Sequence, residues 1–123
     1  MKTGLVIYAS SVEQLMAFYA QVFELDIIES DNTYALLNKG SFELVILETE
    51  ISKNVKNTYK PRENTPLKPV FFIDSSLSDI SGKIKEKEGF VYSPKNWEFG
   101  NRQVCDAHDC EGNIFQLRVS KSA

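Results

Sequence analysis

The sequence predicts an α+β protein made of two β-α-β-β-β halves. Three observations point there. Apolar segments of strand period surround just two stretches of helical period; each helical stretch follows a strand and a Ser-Ser pair; and the halves end on matching tripeptides, Phe42-Glu43-Leu44 and Phe115-Gln116-Leu117.

In the first half, Gly4 to Ala9 is rich in β-branched and aromatic residues and reads as a strand. Ser10-Ser11 starts a helix, with Glu13 placed for a capping box, and Val12, Leu15, Met16, Tyr19, Val22 and Phe23 form one apolar stripe. Asp26 to Glu29, Thr33 to Leu37 and Ser41 to Leu47 are extended segments separated by Asp31-Asn32 and Lys39-Gly40 turns. In the second half, Pro69 to Ile73 is a strand, and Ser75-Ser76 with Asp79 starts a helix carrying Leu77, Ile80 and Ile84 on one face. That helix ends at Gly89 as its C′ residue. Phe90 to Tyr92, Arg102 to Ala107 and Asn113 to Val119 complete the repeat. The expected organisation is one domain over 1–123, with module one at 1–48, a lysine- and proline-bearing linker at 49–67 and module two at 68–123.

Composition removes several classes of function. With 123 residues, 42% hydrophobic and 25% charged, the chain is an ordinary globular domain that needs no metal or disulfide staple. Fourteen basic against seventeen acidic residues leave no cation excess for nucleic acid. The glycines are too far apart for a dinucleotide fingerprint or a phosphate loop, and a single histidine, His108, excludes HExxH. Cys105 and Cys110 are too few for a secreted disulfide framework and are expected to be reduced thiols. The apolar run Leu5 to Ala9 is too short for a signal core or a membrane span, so a soluble, cytoplasmic protein is expected.

The duplicated halves, the Phe18-Tyr19 pair, Trp97-x-x-Gly100-x-Arg102 and Asp109-x-x-Gly112-Asn113 resemble the vicinal oxygen chelate superfamily. That is the glyoxalase, bleomycin-resistance and extradiol-dioxygenase group, and the signatures are closest to its metal-free resistance branch. Cys110 and Glu111 depart from that branch's D-P-D-G-N pattern. The resemblance implies paired curved mixed sheets around a cleft, helices outside, and a homodimer.

Strand alternation assigns Leu5, Ile7, Phe42, Leu44, Ile46, Phe71, Ile73, Phe115, Leu117 and Val119 to the core. Val6, Tyr8, Glu43, Val45, Leu47, Lys68, Val70, Phe72, Gln116 and Arg118 fall on the opposite faces, an apolar wall with few polar groups. The superfamily's metal-ligand positions map to Gly4, Glu43, Lys68 and Gln116, of which only Glu43 is a strong ligand. At about 4 Å and an effective dielectric of 20, like unit charges repel by about 4 kcal/mol, and a dication doubles the repulsion from Lys68. No metal and no cofactor are therefore expected, and Lys68 is expected to pair with Glu43 instead.

Near the last strands, Cys105 and Ala107 should point inward while Asp106 and His108 point the other way. This parity argues against a chelate there, the lack of an orienting partner argues against a Cys-His nucleophile, and Asp106 and His108 are left as candidate lining groups. Trp97 and Phe99 are expected in a loop that could stack on a planar ligand, with Tyr8 and Phe72 as a deeper aromatic surface and Glu43, Asp106, Arg102 and Arg118 orienting charged ends. The reading that results is a small-molecule-binding protein that sequesters an aromatic or amphipathic compound, as resistance proteins of the resemblance do. An enzyme of the same superfamily, metal-free or with atypical ligands, is the alternative, and an interaction module is the third.

Overall fold

The computed structural model describes residues 1–49 and 61–121. The expected linker over 49–67 therefore lies largely outside the described residues. The α+β class is observed, and the chain divides into two units, Met1–Tyr59 and Lys60–Ala123.

The first unit has β1 (Thr3–Ala9), α1 (Val12–Val22), β2 (Asp26–Ser30), β3 (Tyr34–Lys39) and β4 (Phe42–Glu48). Its sheet runs β1-β4-β3-β2, with β1 parallel to β4 and the other pairs antiparallel. Ser11, one residue later than the expected box required, is the N-cap of α1. Its Oγ accepts from Gln14 N at 3.3 Å, so Gln14 rather than Glu13 takes the third helical position. Val12, Leu15, Phe18, Tyr19 and Val22 are the buried face of α1, which packs on β3 and β4 over Leu37, Leu44 and Ile46. Phe18 widens the expected stripe, and Met16 and Phe23 lie at its half-exposed margins.

The second unit has β5 (Val70–Ile73), α2 (Leu77–Glu86), β6 (Phe90–Val91), β7 (Glu98–Phe99), β8 (Arg102–His108) and β9 (Ile114–Ser120). Its sheet runs β5-β9-β8-β6, with β7 added on β8. β5 is parallel to β9, as β1 is to β4, so each unit joins its first and last strands side by side.

Two local features differ from the sequence reading, and a third gives its physical basis. α2 closes in a Schellman turn in which Glu88 N donates to Lys85 O at 3.0 Å and Gly89 N to Ile84 O at 2.8 Å. The left-handed residue is consequently Glu88, at φ 66°, and not Gly89. A glutamate there bears a steric cost that glycine avoids, so Glu88→Gly should raise stability by about 0.5–1 kcal/mol in a urea titration. An unchanged midpoint would contradict this. Second, Gly100 and Asn101 both have positive φ, at 55° and 66°, and form a two-residue hairpin turn between paired Phe99 and Arg102. Phe99 thus belongs to a short strand and not to a loop. Third, the turn after β8 is built on Asp109, which is fully buried and accepts from Glu111 N at 2.8 Å, Asn113 N at 3.0 Å and Asn113 Nδ2 at 2.9 Å. Gly112 N donates back to Asp109 O at 3.1 Å.

Candidate ligand-binding face

Register across the second sheet places almost every predicted site residue of that half on one face. Val70 pairs with Gln116, which pairs with Asp106; Phe72 pairs with Arg118, which pairs with Val104; and Phe99 pairs with Arg102. Side chains directly opposite in a ladder share a face, and so do residues two apart in one strand. Phe72, Phe99, Arg102, Asp106, His108, Gln116 and Arg118 therefore line up together, and Lys68, two residues before Val70, joins them. The reverse face carries Ile73, Cys105, Ala107, Phe115, Leu117 and Val119, all buried. Phe71 on that side packs edge-on against Phe115 at 5.6 Å.

At the centre stands Asp106, whose side chain is entirely buried. Lys68 Nζ lies 2.8 Å from Oδ2, Lys95 Nζ 3.3 Å from the same oxygen, and Gln116 Nε2 donates to Oδ1 at 3.2 Å. Burial alone would push this carboxyl up. The hydrogen bonds from Lys68 and Gln116, the Lys68 charge and the hydrogen bond from Lys95 outweigh burial and hold Asp106 below the usual carboxylate range. The network extends both ways: Lys95 also reaches Glu63 Oε1 at 2.8 Å, and Gln116 Oε1 accepts from Arg118 Nε at 2.8 Å. The Glu63 contact, and next to it Asp106, push the Lys95 ammonium's pKa up against the pull of burial.

Within the second unit Lys68 takes Asp106 as its partner, a carboxylate the sequence reading had not assigned to it. Within its own unit Glu43 has a partner in Lys2, at 3.2 Å, and both side chains are well exposed, so that contact contributes at most about 1 kcal/mol. The physical reason is register: the β5-β9-β8 ladder delivers Lys68 to the face of Asp106, a carboxylate with no access to water. Glu63 and Lys95 were not singled out in the sequence. Lys95 is positioned by backbone bonds along the β8 edge, Tyr92 N to Asp106 O at 2.9 Å and Lys95 N to Val104 O at 2.8 Å, which no residue pattern announces.

Arg102 serves the fold. Its Nη1 donates to Ile73 O at 3.1 Å and Arg118 O at 3.0 Å, and its Nη2 meets Asp74 at 3.1 Å, tying the ends of β5 and β9 to β8. Both guanidinium groups lie near the Phe72 ring, Arg102 at 5.4 Å and Arg118 at 5.9 Å, but Arg118 alone also lies over Phe99, at 4.5 Å. Phe72 is 64% exposed and Phe99 50%, and Trp97 meets Phe99 edge-on at 4.9 Å. His108 stacks on Phe90 at 5.8 Å while its Nδ1 lies 2.8 Å from Asp109 O, so it belongs to an aromatic cluster at the far end of the same strand. In the first unit, Tyr8 is 64% exposed on the face that also carries Glu43.

The cysteines offer no nucleophile. Burial, with the charges of Asp109 and Glu111, pushes Cys110 up to about 12, and burial likewise raises Cys105. At pH 8 roughly one Cys110 in ten thousand would be thiolate. In a native alkylation time course both thiols should stay unmodified until denaturant is added; rapid labelling of either would contradict this.

The fold family suggests a divalent metal, and these residues do not fit one. Lys68 places an ammonium at one implied ligand position, the Gln116 carbonyl is already occupied by Arg118, and a Cβ added at Gly4 would stand 3.1 Å from the Glu43 carbonyl oxygen. Among the described residues no group of three or more His, Cys, Asp and Glu side chains is arranged to hold a metal ion.

No family model matches the chain, and no curated protein matches it by sequence. Solved structures do match. A glyoxalase/bleomycin resistance protein/dioxygenase family enzyme from Burkholderia phytofirmans PsJN aligns with a TM-score of 0.72 at 16% identity, covering 94% of this chain and 95% of that one. Lactoylglutathione lyase from Agrobacterium tumefaciens aligns with a TM-score of 0.64 at 19% identity, covering 99% and 95%. The fosfomycin resistance protein FosX from Listeria monocytogenes, solved with Mn(II) and sulfate, aligns with a TM-score of 0.69 at 16% identity, covering 98% and 89%. The chain has the vicinal oxygen chelate fold that its motifs suggested. At these identities the likeness is one of fold. Among the described residues no helix is long and apolar enough to cross a membrane.

Proposed function

We propose that this protein is a metal-free small-molecule-binding protein of the glyoxalase/bleomycin-resistance type, holding an aromatic or amphipathic compound by affinity. The observation that carries this reading is Lys68. Its ammonium stands at an implied metal position, 2.8 Å from a fully buried Asp106, so protein side chains balance the charge that a cation would otherwise supply. Exposed Phe72 and Phe99 on the second unit's sheet, with Trp97 beside Phe99, supply apolar area for a ligand. Binding is expected to take place in the cytoplasm, by a homodimer, and light scattering at low concentration checks the latter.

A thermal-shift screen of aromatic compounds, run with chelator and again with Mn(II) or Zn(II), tests the proposal. A compound at a hundred times its Kd stabilises the folded state by about 2.7 kcal/mol, and the shift should persist in chelator. Shifts seen only with added metal would favour the enzyme reading, and no shift with any compound would favour an interaction module.

A further inference from the structure

The charges on the second sheet's face do not balance, and the imbalance names the ligand's polarity. Asp106 and Glu63 are the carboxylates of the central network; Lys68, Lys95 and Arg118 are its cations, three against two. The neighbouring charges close one to one, Arg102 with Asp74 and Lys121 with Glu98. The surplus positive charge therefore resides where no carboxylate meets it. Lys68 and Lys95 both touch Asp106, whereas Arg118 makes one hydrogen bond, through Nε to the neutral Gln116 amide, and otherwise faces the Phe72 and Phe99 rings. Its Nη1 and Nη2 have no hydrogen-bond partner among the described residues. A guanidinium whose Nε is held by Gln116 and whose plane is steadied by a ring keeps a fixed pair of parallel donors, the geometry that matches two oxygens of a carboxylate.

Resting on the binding function above, we propose that this face selects an aromatic carboxylate. The carboxylate sits end-on against Nη1 and Nη2 of Arg118, and the aromatic ring lies along the exposed Phe72 and Phe99 side chains. A cationic ligand is disfavoured because both network carboxylates are already neutralised by lysines. The Gln116 amide bridges Arg118 to Asp106, so the anion site is braced by the same buried network that stands in the place of a metal.

Calorimetric titration with naphthalene-2-carboxylate, naphthalene-2-carboxamide and naphthalene-2-carboxamidine tests this on the wild-type chain without any variant. The carboxylate should bind at least about tenfold tighter than the isosteric amide, and the amidine more weakly than either. Arg118→Gln should bring carboxylate and amide to equal affinity, and Arg118→Lys should keep part of the preference. Far-UV circular dichroism checks that both variants fold; if Arg118→Gln does not, the wild-type ligand series and Arg118→Lys decide. Equal binding of all three compounds, tighter binding of the amidine, or a preference that survives Arg118→Gln overturns the anion selectivity while leaving a binding face intact. Absence of binding by all three overturns the selectivity and counts against the binding function as well.

Discussion

Replacing Asp106 with alanine should destabilise the protein by about 3 kcal/mol, because removing one member of a buried ion pair leaves its partners uncompensated. Lys68 and Lys95 would be left facing each other without the carboxylate they share, with only 20% and 28% of their side chains in contact with water. For a chain of this length the loss corresponds to a fall in Tm of roughly 10 °C. The effect has a definite pH signature. The folded-state pKa of Asp106 is lowered, so its stabilisation is fully present above the unfolded value of about 3.9 and is lost as pH falls through the folded value. Urea titrations of the wild type and Asp106→Asn should differ clearly at pH 7, and the gap should shrink as pH drops below about 4. A gap independent of pH would mean that Asp106 is not ionised in the native state.

The second large effect belongs to Asp109. Its carboxylate takes backbone N–H groups of Glu111 and Asn113 as well as the Asn113 amide, all within a buried turn. Alanine would orphan those donors, at about 1–3 kcal/mol for each group left unsatisfied, so Asp109→Ala should cost about 3 kcal/mol in chemical denaturation. Asn113→Ala removes only the side-chain donor and should cost about 1 kcal/mol. Equal losses would indicate that Asn113, and not the carboxylate, organises the turn. In this chain the Asp-x-x-Gly-Asn signature is a folding device: Gly112 at φ 89° lets the chain return, and Asp109 collects the donors that the turn exposes.

The strand and helix order was legible because short apolar segments rich in β-branched and aromatic residues are separated by turn residues, and both helices carry serine caps. Parity alone also separated Cys105 and Ala107 from Asp106 and His108, and the ladder bears that division out. That Lys68 would meet Asp106 was not legible, since nothing in the sequence ranks one carboxylate above another until the ladder of the second unit sets the register. Lys95 and Glu63 were invisible for a related reason: a single charge in an irregular segment becomes informative only when backbone bonds fix it beside β8. The β7–β8 hairpin did leave a signal, Gly100-Asn101 between Phe99 and Arg102, but a two-residue strand is too short for alternation to declare it. Glu88 was missed because the adjacent glycine is the ordinary left-handed residue, and here the turn falls one position earlier.

If side chains, with Lys68 foremost, take the place of a divalent ion such as the Mn(II) found in one structural neighbour, the protein should hold no transition metal. Elemental analysis of protein produced in medium supplemented with manganese, zinc, nickel and iron, and purified without chelator, tests it most directly. The account predicts only trace metal, far below one ion per chain, in the wild type. A transition metal retained at one equivalent per chain, and lost on substitution of Glu43 or Gln116, would contradict it.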